Sequence, residues 1–410
     1  MPKKIVSGVV ESSPVWETLE SYARAQVRSV IQVLLEDEIT ELLGRAKSER
    51  RAAEEPAVYR NGYGKPRRLS MLSGTITVRR PRIRGLEERF ESTLLPFFKR
   101  RTEEMSALLP ELYLHGLALG DFELALRGLL GEGAPLSEAS LLRAKAQWQA
   151  EYESWRQRSL QDLDVVYAWA DGLYVKAGLE AGKAALLVVI VATSDGKKHV
   201  VAVESGERES IESWSRVLRD LKGRGLKALR LVVADGHLGI WGALATIYPT
   251  CDEQRCWNHK MLNVLDQVPL KKQPAMRAWL RKIMYAETKE QAEKLRKQCV
   301  AQYRKLFPKA MDALERDWDR MVTYYDYPSE HWKHLRTTNI VESPFASVRL
   351  RTSAAKRFKR VENACALIWK LLCVAEKTFR RLNAPELLKD VAAGTKYVNG
   401  VAVHSKRIAA

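Results

Sequence analysis

Three carboxylates stand where the sequence gives a side chain a fixed aim. Asp171 follows the apolar run "VVYAWA" and Asp235 follows "LRLVVA". An α/β sheet holds the side chains at its strand ends rigidly at its mouth. Glycine succeeds each aspartate and leaves room for a ligand or a neighbouring backbone, although either Asp-Gly pair taken singly is more often just a turn. The third acid, Glu342, lies in "RTTNIVESPFASVRLRTSAAKRFKR" (residues 336–360), whose other charged side chains are seven Arg or Lys. A basic run is ordinarily a solvated helix face or a surface for phosphates, and a lone acid weakens both. A metal gives the acid a reason. Mg²⁺ takes hard oxygen donors and keeps much of its water, so a few carboxylates converging from different elements suffice when phosphate oxygens complete the shell. Two such ions can activate a water or a 3′-hydroxyl and stabilise the leaving oxygen of an in-line displacement at phosphorus. Glu342 is also readable as a helix-start acid, with Asn339-x-x-Glu342 as a capping box or Ser343-Pro344 as N-cap and N1, and the two roles are compatible.

The elements that must position these groups are distant in the chain. From Gln161 the texture becomes "DVVYAWADGLYVKAG", "AALLVVIVATSDGKKHVVAVESGE", a helical "SIESWSRVLRDLKGRG", then "LKALRLVVADGHLGIWGALATIYP". The order strand, strand, strand, helix, strand, helix specifies an α/β unit with a mixed sheet. "SDGK" is a hairpin turn signal that makes Asp195 a turn former. Upstream, residues 20–60 read as helical, and a turn-rich link leads into the alternating "TITVRRPRIR", a short strand edged with arginines. Its basic side could follow a nucleic-acid backbone or be a solvated edge guarded by charge. Residues 103–158 are helical again, interrupted at Gly116–Gly120 and at "GEGAP" (131–135). They suggest a helix-turn-helix in which Ser137 is the N-cap and Ser140, Arg143 and Lys145 face a major groove. An ordinary helical connector is the alternative, because "GEGAP" is longer than the usual turn.

The chain has 410 residues, enough for two to four structural units. Its 68 Lys and Arg against 50 Asp and Glu leave a net charge of +18, which calls for an anionic partner, nucleic acid foremost. "MPKKIVSGVVESSPVWETLE" lacks the apolar core of a signal peptide, and the most apolar run, Ala184–Thr193, is too short to cross a bilayer. Five cysteines, odd in number and without a Cys-x-x-Cys pair, argue against a disulfide framework or a zinc ribbon and fit a reducing cytosol.

The segments "DGLYVKAG", "VVADGHLGIWGAL", "QRCWNHKMLNVL" and "YPSEHWKHLRTTNIVES" occur in this order, with a long helical stretch before the last. Together they resemble the mutator-type family of bacterial insertion-sequence transposases, over most of the chain. The resemblance implies an RNase H-like α/β catalytic domain with an α-helical insertion, preceded by mostly α-helical DNA-binding N-terminal domains. It implies a DDE triad in which Asp171, Asp235 and Glu342 bind two Mg²⁺ ions, replaceable by Mn²⁺. It also implies DNA partners, namely the element's terminal inverted repeats and a target, and a homodimer or larger assembly in the cytoplasm on nucleoid DNA, with no membrane partner. The expected layout is a basic helical and short-strand region (1–100), a helix-turn-helix-like domain (101–160), the first part of the catalytic core (161–269), the insertion (270–329), the final part of the core (330–385) and a tail (386–410). The chain departs from the family where Pro344 stands, since an apolar residue and then Asn more commonly follow the Glu-Ser pair. A proline there would shift the helix start or kink it.

Further residues acquire candidate roles beside this triad. Cys256 and His259 match the family's Cys-x-x-His motif; as a zinc site the pair alone is too small, and positioning substrate phosphate or the active-site helix competes with simple packing. His237 could reach a scissile phosphate or serve as a cap. In the aromatic-rich "DWDRMVTYYDYPSEHW", Trp318 is the first choice for stacking on a flipped base, and packing of the helical insert is the alternative. Arg349, seven residues past Glu342, could clamp phosphate, and Lys356 and Arg357 are backbone contacts. Two rivals stay open: a non-catalytic or domesticated DNA-binding regulator derived from a transposase, and a nuclease of the same fold that cuts without joining.

Overall fold

Glycine stops the first helix well before residue 60. α1 (Val15–Leu43) ends at Gly44, whose φ of +63° is the left-handed conformation that terminates helices and that L side chains resist. The computed structural model of the protein describes residues 15–50, 58–88, 90–96, 99–117, 121–130, 138–177, 183–206, 208–236, 238–355 and 357–403. The chain divides into two compact units, residues 1–144 and 145–410.

In the first unit the expected single arginine-edged strand is two. β3 (Gly74–Val78) pairs with β2 (Arg67–Met71), whereas β4 (Pro81–Arg84) pairs with β1 (Tyr59–Tyr63). The break has a physical cause. Gln32 of α1 bonds both backbone groups of Arg79, at 2.8 and 3.0 Å, and Pro81 has no N–H to offer a ladder. Leu35 of α1, flanked by Val27 and Ile31, packs with Leu69, Met71, Ile76 and Val78 of the β2–β3 hairpin. α2 (Glu103–Leu114), capped by the Thr102 hydroxyl, is followed by α3 (Phe122–Leu130), and α4 (Glu138–Arg156) begins in this unit and continues into the second. Arg143 is exposed on α4. Ser137 and the linkers at 118–120 and 131–137 lie outside the described residues.

The second unit is a mixed α/β structure. β5 (Val165–Lys176), β6 (Lys183–Thr193) and β7 (Lys198–Gly206) run antiparallel, and β8 (Leu231–Ala234) and β9 (Asp252–Arg255) are added parallel to β5, giving the order β7-β6-β5-β8-β9. The β6–β7 turn is closed by Asp195, whose Oδ1 accepts from the Thr193 hydroxyl at 2.6 Å and the Lys197 N–H at 3.1 Å. Between β7 and β8, α5 (Ile211–Gly223) is started by the Ser210 hydroxyl, which accepts from the Ser213 N–H. Trp214, Val217, Leu218 and Leu221 recur at helical spacing, so α5 buries one stripe against Ala168, Ala170, Val189 and Val191 of the sheet. α6 (Leu238–Ile247) follows β8 and joins the same core.

Only helical elements lie between β9 and the helix of Glu342: α7 (Trp257–Leu265), α8 (Gln273–Met284), α9 (Lys289–Tyr303), α10 (Pro308–Glu315), α11 (Trp318–Met321) and α12 (Trp332–Leu335), with short 3₁₀ turns. The aromatic-rich stretch is their cement. Tyr324, Tyr325, Tyr327 and Trp332 are buried; the Tyr324 and Tyr325 hydroxyls donate to the carbonyls of Met284 and Ala286, and Tyr327 donates to Asp252 at 2.7 Å. α13 (Asn339–Ala355), α14 (Val361–Glu376), α15 (Leu387–Ala392) and a two-residue hairpin of β10 (Tyr397–Val398) and β11 (Val401–Ala402) complete the chain. Among the described residues no helix is long and apolar enough to cross a membrane.

Candidate active site

Asp171 sits inside a strand and not at its end. β5 pairs with β8 only from Tyr167 to Ala170, but its antiparallel pairing with β6 continues to Lys176, with Asp171 opposite Val188. The Asp-Gly pair is therefore no turn; Asp171 is the first β5 residue past the end of the parallel neighbour, at the open notch of the sheet. Period-two alternation puts Tyr167, Trp169 and Asp171 on one face and Ala168 and Ala170 on the face covered by α5 and α6. The two aromatic residues tether the chain that leads to α13: the Tyr167 hydroxyl meets His331 Nδ1 at 2.9 Å, and the Trp169 indole N–H donates to the His334 carbonyl at 2.9 Å.

Asp235 does stand at a strand end, directly after β8, and its Oδ1 accepts from the Gly236 N–H. A Cβ at position 236 would fall 2.1 Å from Cζ of the buried Arg255 guanidinium, so glycine there lets the guanidinium keep its place. Arg255 is itself held by Asp317 at 2.9 Å, which ties the loop of Asp235 to the helical layer.

Glu342 enters from the first turn of α13. The expected capping box does not form, because the helix begins at Asn339 itself; Asn339 Oδ1 accepts from Asn258, and the hydroxyl that donates to Glu342 Oε1 is that of Thr338. Pro344 neither delays nor ends the helix, which runs through it to Ala355. Its cost is one missing N–H toward the Ile340 carbonyl, inside a helix whose earlier Val341 and Glu342 N–H groups are already bonded to the Thr338 carbonyl. Just upstream, Arg336 is fixed on both ends: its carbonyl accepts from the Trp257 N–H at 2.9 Å, and its guanidinium lies over the rings of Tyr285, Tyr324 and Trp332, 4.9–5.4 Å from their centroids.

His259 joins the acids. Its Nδ1 lies 3.9 Å from Asp235 Oδ1 and 3.9 Å from Glu342 Oε1, although these carboxylates are 107 positions apart in sequence. That nitrogen is buried and has no hydrogen-bond partner. Burial works against a charge on His259, yet Cys256, Asp235 and Asp171 outweigh it and hold the imidazole up at about 9. Burial also pushes Asp171 up to about 7; Glu342 and Glu209 push the same way, while His259 and the Gly172 N–H, 2.8 Å away, pull it down. A site where carboxylates oppose one another's ionisation and a buried nitrogen lacks a partner is one that a divalent cation relieves, so the residues fit a metal.

The structure thus brings Asp235, Glu342, Cys256 and His259 together, with Asp171 near enough to interact electrostatically with His259 and Glu342. His237 and Lys356 lie outside the described residues. Trp318 is a packing residue in this structure, not an open stacking face: it is 9% exposed, meets Trp257 edge-on at 6.1 Å and is covered by the Arg296 guanidinium at 4.6 Å. Arg349 is exposed on α13 over Phe345, and Arg357 is exposed beyond the end of that helix. Three residues of the site escaped sequence reasoning. Thr338 was marked only by its place four residues before Glu342, Arg255 only as a charge ending a strand, and Glu209, whose carboxylate a Cβ on Gly172 would strike, not at all.

Residues 8–381 match the model of the Mutator family of transposases. The chain is 43% identical over 296 residues to the transposase for insertion sequence element IS6120 of Mycolicibacterium smegmatis, covering 72% of this chain and 92% of that one. It is 40% identical over 279 residues to the transposase for IST2 of Acidithiobacillus ferrooxidans, covering 68% and 94%. The transposase for ISRM5 of Rhizobium meliloti is more distant at 29% but aligns over 88% of this chain. The Drosophila P element transposase strand transfer complex covers 69% of this chain and 83% of its own with a TM-score of 0.29, too low to carry an argument. The chain belongs to the Mutator family of transposases.

Proposed function

We propose that the protein is the transposase of a bacterial insertion sequence, which binds the element's terminal inverted repeats and cuts and joins DNA strands at Asp171, Asp235 and Glu342. The observation that carries this is the meeting of Asp235 and Glu342 around one buried His259 nitrogen, with Asp171 close enough to feel both His259 and Glu342. The sheet order, three antiparallel strands followed by two parallel to β5, supports an RNase H-like core with residues 270–329 as its helical insertion. The three carboxylates would hold two Mg²⁺ ions, which when bound supply Lewis-acid stabilisation of the charge that develops at the scissile phosphodiester. The protein's own groups do the aiming. β5 fixes Asp171 in a paired strand, Arg255 packs beneath the Asp235 loop, and Thr338 holds one Glu342 oxygen. His259 Nδ1 stands between the Asp235 and Glu342 carboxylates, 3.9 Å from each. In the first reaction water attacks phosphorus and a 3′-oxygen leaves as a 3′-hydroxyl; in the second that 3′-hydroxyl attacks a target phosphodiester, whose own 3′-oxygen leaves as the new P–O bond forms. No covalent protein intermediate is needed. Two element ends must be held at once, which calls for a dimer or larger assembly on DNA, acting in the cytoplasm on nucleoid DNA.

The test is strand joining in Mg²⁺ with labelled DNA carrying the parent element's ends, comparing the wild-type protein with Glu342→Ala and measuring DNA binding in parallel. Joined product that vanishes in the variant while binding persists is the expected result. Cut but unjoined DNA from the wild-type protein would make it a nuclease, and binding without cutting by either protein would make it a DNA-binding regulator.

A further inference from the structure

The hard-cation chemistry leaves Cys256 and His259 unexplained, because Mg²⁺ has no use for sulfur and little for nitrogen donors. Yet one ligand atom each of Cys256, His259 and Glu342 lies within 4.8 Å of the others, and Asp235 Oδ1 lies 3.9 Å from His259 Nδ1. The Cys-x-x-His pair alone is too small for zinc; the fold adds two oxygen donors. We propose that Cys256, His259, Glu342 and Asp235 form a four-donor site for a thiophilic divalent ion of the zinc class, and that this ion competes with the hard cation for the shared carboxylates.

The surroundings are those of a built metal–thiolate site. Cys256 is fully buried at the start of α7, so its sulfur has one position, and His259 projects from the same first turn. The Thr338 N–H donates to Cys256 Sγ at 3.3 Å, the kind of backbone donor that stabilises a thiolate. The Thr338 hydroxyl lies 3.1 Å from the same sulfur and donates to Glu342; its single proton cannot serve both, so the backbone N–H is the donor left to the sulfur. Bonds of about 2.0–2.3 Å to a tetrahedral ion place its donors roughly 3.3–3.8 Å apart. Cys256, His259 and Glu342 lie within 4.8 Å of one another and Asp235 Oδ1 lies 3.9 Å from His259 Nδ1, so an ion would have to draw these donors inward, and the His259 and Glu342 side chains, 25% and 27% exposed, are not locked by complete burial. Binding would expel the thiol proton and give the buried Nδ1 its missing partner once the imidazole is neutral. Competition rests on the assignment of Asp235 and Glu342 to the Mg²⁺ site; the thiophilic site itself does not.

Cobalt is the probe. Full-length, reduced, DNA-free protein is titrated with Co²⁺, reading thiolate-to-cobalt charge transfer and the visible bands of tetrahedral cobalt. One equivalent should develop both, Zn²⁺ should erase them, and Cys256→Ser should lack the charge-transfer band. Should Cys256→Ser unfold by circular dichroism, His259→Gln serves instead, with Co²⁺ affinity lowered by more than the roughly 10- to 100-fold that loss of a supporting hydrogen bond costs. No charge-transfer band, or one unchanged in the folded variants, overturns the site. In the joining assay at fixed Mg²⁺, Zn²⁺ should inhibit the wild-type protein and be relieved by added Mg²⁺; inhibition indifferent to Mg²⁺ overturns the competition. A band without any joining by the wild-type protein upholds the site while removing the proposed activity.

Discussion

Valine at position 338 would remove one hydroxyl and little else. Thr338 is fully buried, valine has its shape, and its carbonyl would still accept from the N–H groups of Val341 and Glu342, so α13 should start where it does now. What is lost is the donor to Glu342 Oε1. A hydrogen bond to a charged acceptor is worth about 1.5–3 kcal/mol, and each 1.4 kcal/mol or so is tenfold in rate. If Glu342 must be held in place for strand joining, Thr338→Val should slow joining by roughly 10- to 150-fold at limiting Mg²⁺ and raise the Mg²⁺ concentration for half-maximal rate. DNA binding should stay level. Thr338→Ser, which keeps the hydroxyl, should recover most of the rate. The assay is single-turnover joining across a Mg²⁺ titration for the three proteins, with thermal unfolding as a control. Wild-type joining by Thr338→Val at every Mg²⁺ concentration, or equal impairment of the serine and valine variants, would refute the positioning of Glu342 by Thr338.

Other outcomes follow from packing and charge. Gly236→Ala should displace Arg255 from Asp317 and destabilise the fold by about 3–5 kcal/mol, the cost of breaking a buried pair; in a double-mutant cycle with Arg255→Ala the losses should be less than additive, and additivity would sink the contact. Trp318→Ala should cost about 3–5 kcal/mol in chemical denaturation, as a large buried side chain does, with no loss of base-stacking signal from DNA. Burial holds His334 down at about 4, with Lys198, Lys333 and His331 adding to that and Asn383 opposing it. The unfolded chain therefore binds a proton that the folded one refuses between about pH 6.5 and 4, and stability should fall as pH drops through that window. His334→Gln should flatten the fall in melting temperature there; an unchanged pH profile would show that His334 does not contribute.

The sheet and its carboxylates were legible because they rest on local signals. Apolar runs marked β5, β6 and β8, "SDGK" marked the β6–β7 turn, and each acid stood at a visible change of texture. The mid-strand place of Asp171 was not legible, because Asp-Gly has turn propensity and only pairing with β6, a non-local fact, carries the strand through it. The helix start before Pro344 was hidden likewise: Thr338 and Asn339 find their partners on α7 and at its cap, about 80 residues away. Trp318 could not be sorted from sequence, since an aromatic side chain suits a base and a core equally; Arg296 above its ring decides it.

The double grip on Arg336 reaches beyond its own neighbourhood. Two residues before Thr338, it ties the chain entering α13 to Trp257 by its carbonyl and to three aromatic rings by its side chain. Glu342 thus takes its bearing from a layer that holds neither Asp171 nor Asp235. Lineages of this chain would be free to vary the outer surface of that layer but not to trim it away, and lesions deep among its aromatics would be mistaken in a genetic screen for lesions of the proposed catalytic carboxylates.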